Sequence, residues 1–409
     1  MEIRPTTDDD LGVFVDTMHA AFGMFPETPA EDGGGVWWAA LEMDRGLLAT
    51  AEDGRPVGTA AAYSFELTLP GEVVVPACGV TAVGVLPSHR RQGVLGAMMR
   101  RQLGDLRDRG ECLSVLLASE AVIYRRFGYG PATYTQKLTV PRHRGALALP
   151  RAYGAEEAPS DTGTVEVLRR DECGEVLEEV YDRYRRAQPG ALSRPHRWWE
   201  RRAGQPPIAP AQRYIAVHRD ADGVPDGYAS YTVGDPDRTL TVDETIAADD
   251  AVFTALAGYL LRHDLVKQIV FKHIPPGHPL RWQFEDFRAG EVSGHMDWLW
   301  VRILDIPRAL TSRGWFTDGE LVLDVGDPFL GEHGRWLLTV RDGKAECVPT
   351  GREPDLSLDV TDLGSVYLGG TAPSTLVRAG HIRAHRPGAA ALADALFAAE
   401  RPPHCLHWF

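Results

Sequence analysis

One stretch constrains this chain more than any other: Val83-Gly84-Val85-Leu86-Pro87-Ser88-His89-Arg90-Arg91-Gln92-Gly93-Val94-Leu95-Gly96. It reads as a buried strand, a proline turn, two adjacent arginines, a glycine and then a helix. That helix carries Leu95, Met98, Met99, Leu103 and Leu106 on one face, and Gly110 stands just past its end, where left-handed backbone closes a helix. A strand feeding a helix N-terminus through such a loop builds an anion site, because free backbone N–H groups and the helix dipole point at the ligand. Gly93 lets the backbone approach a pyrophosphate closely, and Arg90 and Arg91 add charge and planar donors. Gln92, Val94 and Leu95 complete the cradle. The strand through Val83 and Val85 offers backbone groups to an amide-bearing arm lying alongside as an added strand.

The rest of the first 140 or so residues alternates short strands and helices. Strands are expected at 2–4, 46–51, 57–69, 73–76, 81–85 and 113–118, with a turn at Asp53-Gly54. Thr6 or Thr7 caps a helix whose first turn holds Asp8, Asp9 and Asp10 and whose apolar face is Leu11, Phe14, Val15, Met18 and Phe22. A Pro/Gly/Ala-rich passage, 141–163, reads as an interdomain connection. Beyond it the pattern predicts helices near 176–186 and 250–262 and strands near 214–218 and 227–233. A third region opening at Trp298 has strands near 319–325, 336–341 and 356–359 and helices near 363–367 and 389–399.

Composition narrows the function classes. At roughly 100–200 residues per domain, 409 residues predict two to four domains. A net charge of −14 argues against a nucleic-acid partner and favours cationic substrates. The five scattered cysteines, with no CxxC pair, fit a reducing compartment. The N-terminus lacks the basic and apolar regions of a signal peptide, and no run of about 20 apolar residues occurs. The expectation is a cytoplasmic protein with no membrane partner.

The 83–96 loop resembles the acetyl-CoA loop of the GNAT superfamily, whose pattern is Arg/Gln-x-x-Gly-x-Gly/Ala. Arg90-x-x-Gly93 fits, while Leu95 occupies the last small position. A second motif runs Ala118-Ser119-Glu120-Ala121-Val122-Ile123-Tyr124-Arg125-Arg126-Phe127-Gly128-Tyr129-Gly130-Pro131. With Ser119 beside the cofactor, a short helix here aims Tyr124 at the thioester. Acetyl transfer expels a thiolate that must be protonated; a thiol titrates at about 8.5 and tyrosine near 10, so Tyr124 is a feasible general acid. The chain ends His404-Cys405-Leu406-His407-Trp408-Phe409, apolar enough to dock. No carboxylate or second cysteine pair completes a zinc set around these histidines, so no metal is expected.

Together, the segments 83–95, 123–133, 297–302 with Asp305-Ile306-Pro307, and the aromatic terminus resemble the enhanced intracellular survival (Eis) family of actinobacterial acetyltransferases along the whole chain. The resemblance implies an α/β (α+β) fold with tandem GNAT-type domains, 1–145 catalytic and 146–295 GNAT-like, and a sterol-carrier-protein-like domain, 296–409. It implies acetyl-CoA as co-substrate, a homohexamer, and acetylation of primary amines of aminoglycosides and some peptide lysines. It carries the general acid to Tyr124 and the general base to the terminal carboxylate of Phe409. A free α-carboxylate titrates at about 3.3–3.7, and burial beside aromatic rings raises it toward useful basicity. Asp297 is a candidate for meeting a cationic amine, or a structural cap. Trp37, Trp38, Phe25 and Phe65 are candidate pocket walls. Competing readings are a protein-lysine acetyltransferase, a lipid or sterol carrier acting through 300–409, and a regulatory acetyl-CoA binder without turnover.

Overall fold

The structure is a computed structural model and describes residues 1–23, 40–148, 163–169, 172–200, 213–234 and 238–409. Phe25, Trp37 and Trp38 lie outside the described residues. The chain separates into two compact units, each discontinuous in sequence. One comprises Met1–Thr133, Pro189–Pro207 and Trp298–Phe409; the other comprises Tyr134–Gln188 and Ile208–Asp297.

In chain order the elements are β1 (Glu2–Pro5), α1 (Leu11–Ala21), β2 (Leu47–Thr50), β3 (Pro56–Leu69), β4 (Val73–Val85), α2 (Val94–Asp108), β5 (Leu113–Leu117), α3 (Ala121–Tyr124), β6 (Gly130–Pro131) and β7 (Tyr134–Pro141). There follow β8 (Thr164–Leu168), α4 (Val176–Ala187), α5 (His196–Glu200), β9 (Tyr214–Arg219), β10 (Pro225–Gly234), β11 (Thr239–Ala247), α6 (Asp250–Leu261), β12 (Gln268–Ile274), α7 (Leu280–Gln283) and β13 (Glu291–Asp297). The chain finishes with β14 (Leu299–Ile303), α8 (Ile306–Ser312), β15 (Gly319–Asp327), β16 (Glu332–Arg341), β17 (Lys344–Pro349), β18 (Leu356–Asp359), α9 (Val360–Tyr367), α10 (Pro373–Arg378), β19 (Arg383–Ala384) and α11 (Ala389–Phe397).

The first unit holds a seven-stranded sheet ordered β1-β2-β3-β4-β5-β14-β6. Segments 73–76 and 81–85 are one continuous strand, β4, rather than two, because Gly79 sits inside the strand and not at a break in it. The spacing signal failed there because glycine serves packing: a Cβ on Gly79 would stand 2.5 Å from the Phe65 ring. The segment that opens at Trp298 returns to the first unit. There β14 pairs antiparallel along all of β5, from Leu299↔Leu117 to Ile303↔Leu113. With neighbours on both edges and side chains packed on both faces, β5 is apolar but for Ser114, whose hydroxyl is hydrogen-bonded to that of Tyr129 at 2.7 Å. One face of the sheet buries Met99, Leu103 and Leu106 of α2 against Cys78, Val80, Leu116 and Trp300. The other packs Leu113, Val115, Leu299 and Val301 against Leu363, Val366 and Leu396 of the C-terminal segment. That segment adds a five-stranded sheet ordered β17-β16-β15-β18-β19.

The second unit holds its own seven-stranded sheet, ordered β13-β7-β12-β11-β10-β9-β8. Its core gathers Leu138, Ala229, Leu240, Val242, Leu256, Leu260, Ile269 and Phe271. Asp249 caps α6 by accepting from the N–H groups of Ala251 and Val252. The expected connection 141–163 starts on the last residue of β7 and continues through a turn at Arg142–Arg144; residues 149–162 lie outside the described residues.

Candidate active site

β4 and β5 run parallel but pair only at Cys78↔Ser114 and Gly79↔Val115. Beyond that point β4 continues to Val85 and β5 to Leu117 without a shared ladder, so the sheet forks. A β-bulge sits at the same place. β4 places Ala82 and Val83 opposite Ala60 alone, between Thr59↔Gly84 and Ala61↔Thr81. Ala82 adopts φ +51°, and the Thr59 hydroxyl donates to its carbonyl at 2.8 Å. Such a bulge bends the strand away from its neighbour.

At the end of β4 the loop turns into α2. Gly93 is the N-cap with φ +85°, a conformation costly for any residue bearing a Cβ. The first helical bond joins Ala97 N–H to the Gly93 carbonyl at 3.0 Å, so the N–H groups of Val94, Leu95 and Gly96 stand outside the helix ladder. Arg90 ties the loop down, donating to the Ala21 carbonyl at 2.7 Å and to the Val85 carbonyl at 3.3 Å.

A cavity of about 1100 Å³ opens over this loop, beyond the roughly 300–1,000 Å³ usual for small-ligand pockets. Its wall includes Val83, Val85, Arg90, Arg91, Gly93, Val94, Leu95, Ser119 and Tyr124. The structure therefore brings eight of the nine residues expected at the cofactor together, along with the expected acid. Gln92 is the exception. Its side chain turns back to donate to the Ser88 carbonyl at 3.1 Å. Arg100, Arg126, Pro328 and Phe329 also line the cavity. Pro328 and Phe329 lie more than 200 residues from the loop in sequence, and no local pattern announced them.

Tyr124 is the last residue of α3 and is buried. Burial pushes its phenol above the ordinary tyrosine range, and a hydrogen bond with Ser119 draws it partly back. The hydroxyl thus stays protonated at neutral pH, as an acid requires. Phe409 is buried at the fork. Its ring lies edge-on to Phe65 at 5.0 Å and to Tyr63 at 6.4 Å. A Cβ on Gly79, in the last residue pair before the strands part, would stand 3.0 Å from Phe409 Cε2. Phe65, expected as a pocket wall, is instead the buried bed on which the terminal ring rests. Asp297 is the exposed last residue of β13, in the second unit. Among the described residues no group of three metal-ligating side chains occurs.

Forked parallel strands, a bulge, and a glycine-capped helix at the mouth of the fork define a GNAT-type acyltransferase, and comparison with known proteins agrees. Residues 2–132 and 190–303 each match a family model described as an acetyltransferase (GNAT) domain, and 306–406 match a sterol carrier protein domain. An uncharacterized N-acetyltransferase of Streptomyces griseus is 34% identical, over 99% of both chains. The N-acetyltransferase Eis of Mycobacterium tuberculosis is 33% identical, over 97% of this chain and 96% of that one. The crystal structure of Eis1 from Mycobacterium abscessus superposes with a TM-score of 0.86 at 35% identity, covering all of both chains. The chain belongs to the Eis family of N-acetyltransferases and is an acetyltransferase enzyme with two tandem GNAT domains and a sterol-carrier-like domain.

Proposed function

We propose that this enzyme transfers the acetyl group of acetyl-CoA to primary amines of cationic, aminoglycoside-type substrates, with Tyr124 as general acid and the Phe409 carboxylate as general base. The pyrophosphate rests on the loop from Arg90 to Leu95, and the pantetheine arm enters the fork beside Val83 and Val85. The ammonium gives one proton to the terminal carboxylate, and the free amine attacks the thioester carbonyl carbon. The C–S bond breaks, the departing sulfur takes the Tyr124 proton, and the attacking nitrogen returns its surplus proton to the Tyr124 phenolate. The amide and free CoA leave. The observation that carries this reading is the seating of Phe409 at Gly79, where β4 and β5 separate. Family membership supports a homohexamer. The net charge of −14 supports a cationic acceptor, and five scattered cysteines with no CxxC pair support a cytoplasmic setting. Asp297, Phe25 and Trp37 are proposed to contact the amine. We take 1–145, 146–295 and 296–409 as the inherited domains.

The alternative reading is a lipid carrier acting through the C-terminal segment. A cavity beside that segment, about 430 Å³, is lined by Ile303, Leu304, Ile306, Val325 and Trp336 together with the charged Arg107, Asp305, Arg308, Asp327 and Glu332. The test is acetyl-CoA turnover, read as free thiol, with neomycin, spermine and lysine peptides, using the intact chain and a variant with one glycine appended after Phe409. Turnover that collapses in the extended chain while acetyl-CoA binding persists supports the mechanism. Equal turnover in both refutes the terminal base, and acetylation of lysine peptides alone favours the protein-acetyltransferase alternative.

A further inference from the structure

The tail 402–409 has no regular secondary structure, yet His404, Cys405, Leu406, His407 and Phe409 are buried, and His407 is 0% exposed. His407 is held at several points. Its Nδ1 accepts from Arg194 Nε at 3.2 Å, and its carbonyl accepts from Trp298 Nε1 at 3.3 Å and from the Cys405 thiol at 3.6 Å. Its ring meets Trp198 edge-on at 4.8 Å and Phe65 at 5.2 Å, and stacks on Phe409 at 5.8 Å with 26° between planes.

A guanidinium has no acceptor, so the Arg194 contact requires a lone pair on Nδ1 and places the imidazole proton on Nε2. Burial, and then the Arg194 charge, hold the ring well below its usual titration range. His407 is therefore a neutral plate of fixed tautomer, two residues before the terminus. Such an arrangement is expensive. Arg194 is 9% exposed, and among the described residues His407 Nε2 has no hydrogen-bond partner. A terminus docked only for stability would be served better by an apolar side chain at 407. A carboxylate that must sit within a fraction of an ångström of a reacting amine needs a rigid support.

We infer that Arg194 and His407 form a clamp that positions the terminal carboxylate: Arg194 fixes the imidazole, and the imidazole fixes the Phe409 ring stacked on it. Both are positioning residues, and the inference rests on the reading of the Phe409 carboxylate as the base. His407→Leu removes the Nδ1 acceptor, and Arg194→Met removes the donor. His407→Asn keeps an acceptor oxygen near the Nδ1 site.

The full chain is assayed for acetyl-CoA turnover with whichever of neomycin, spermine and lysine peptide it acetylates fastest, after Tm measurement and below the lowest Tm. The clamp predicts that His407→Leu and Arg194→Met each lose on the order of 10–10² in kcat. It predicts that KM for acetyl-CoA stays within about twofold, since the Arg90–Leu95 cradle is untouched, and that His407→Asn recovers most of the rate. In the chain extended by one glycine, the same substitutions cost nothing further, because the group they position is already displaced. Equal losses in the intact and extended chains, or a parallel rise in the acetyl-CoA KM, overturn the clamp in favour of a structural role. An extended chain as active as the intact one overturns the terminal-base reading and the clamp with it. Loss on extension with no loss in His407→Leu overturns the clamp alone.

Discussion

Gly79→Ala is the smallest perturbation that reaches the proposed base without touching it. Gly79 has no positive φ, so alanine meets no torsional penalty, and the whole effect is steric. The new methyl would stand 2.5 Å from Phe65 Cδ2 and 3.0 Å from Phe409 Cε2, where ordinary contact begins at 3.4 Å. The Phe65 ring, whose Cε2 is nearer still, must retreat by about 1 Å and the Phe409 ring by about 0.4 Å. Neither has room. Phe65 is 3% exposed and boxed by Tyr63 at 5.5 Å, Trp198 at 5.9 Å and His407 at 5.2 Å. Overpacking of this kind costs about 1–3 kcal/mol. At roughly 2–4 °C per kcal/mol for a unit of this size, Tm falls by about 2–12 °C. Displacement of the bed under the terminal carboxylate lowers kcat by up to ~10²-fold. The acetyl-CoA KM holds, because the cradle lies at the far end of β4. Thermal unfolding and steady-state turnover below the new Tm read both quantities. An alanine variant with wild-type Tm and wild-type kcat would falsify the packing of Phe409 at the fork.

Further outcomes follow from single contacts. Tyr124→Phe keeps the ring and loses the proton, so kcat falls by about 10²–10⁴ while acetyl-CoA binding, measured by calorimetry, is kept; unchanged turnover removes Tyr124 as the acid. Arg302 is 0% exposed and ion-paired with Asp327. Asp327→Asn therefore strands a buried cation and costs about 3–5 kcal/mol in urea unfolding, whereas replacing both partners by apolar residues costs less; a neutral single variant refutes this. Burial pushes His273 and His278 in the second unit down to about 4, and neutral His278 accepts from Leu280 N–H at 3.2 Å. Between pH 6.5 and 4 the unfolded chain binds protons that the folded histidines refuse. Their stabilisation is thus whole above about pH 6.5 and drains as pH falls toward 4, by up to about 3 kcal/mol each. Urea unfolding across that window shows the slope, and replacing both with Gln reduces it, leaving the share that buried His407 contributes.

The cofactor loop was legible because one continuous segment builds it. Gly93 announced a close approach of the backbone, Arg90 and Arg91 their charge, and the periodicity of Leu95 to Leu106 the helix behind them. What stayed hidden depends on pairing between distant segments. The bulge at Ala82 and Val83 leaves no local mark, since only the register against β3 reveals the extra residue. β6, β7, β8, β11, β12, β13, β14, β17 and β19 were missed. β11 and β13 are mixed in polarity, and a strand with one buried face gives a weak signal when its neighbours alternate irregularly. The gap left between 73–76 and 81–85 holds Gly79, and the ring that excludes a side chain there belongs to β3. His407 read as part of an apolar tail, since nothing near it in sequence names Arg194 as its partner.

The position of β14 explains why the first GNAT segment does not stand alone. Residues 2–132 match a GNAT family model, but their sheet is completed by Leu299–Ile303, which lies between β5 and β6. Without it, β5 becomes an edge strand, with the backbone groups of Leu113–Leu117 unpaired and the apolar faces of Leu113 and Val115 uncovered. Unpaired ladders and exposed apolar strands drive association rather than folding. The same C-terminal segment that closes the sheet ends, some hundred residues later, at the fork between β4 and β5. On the proposed mechanism, the general base therefore arrives only in a chain that is complete and folded through its last residue. Burial of the terminus also seals the core, with the Phe409 ring edge-on to Tyr63 and Phe65 and Trp198 packed behind them.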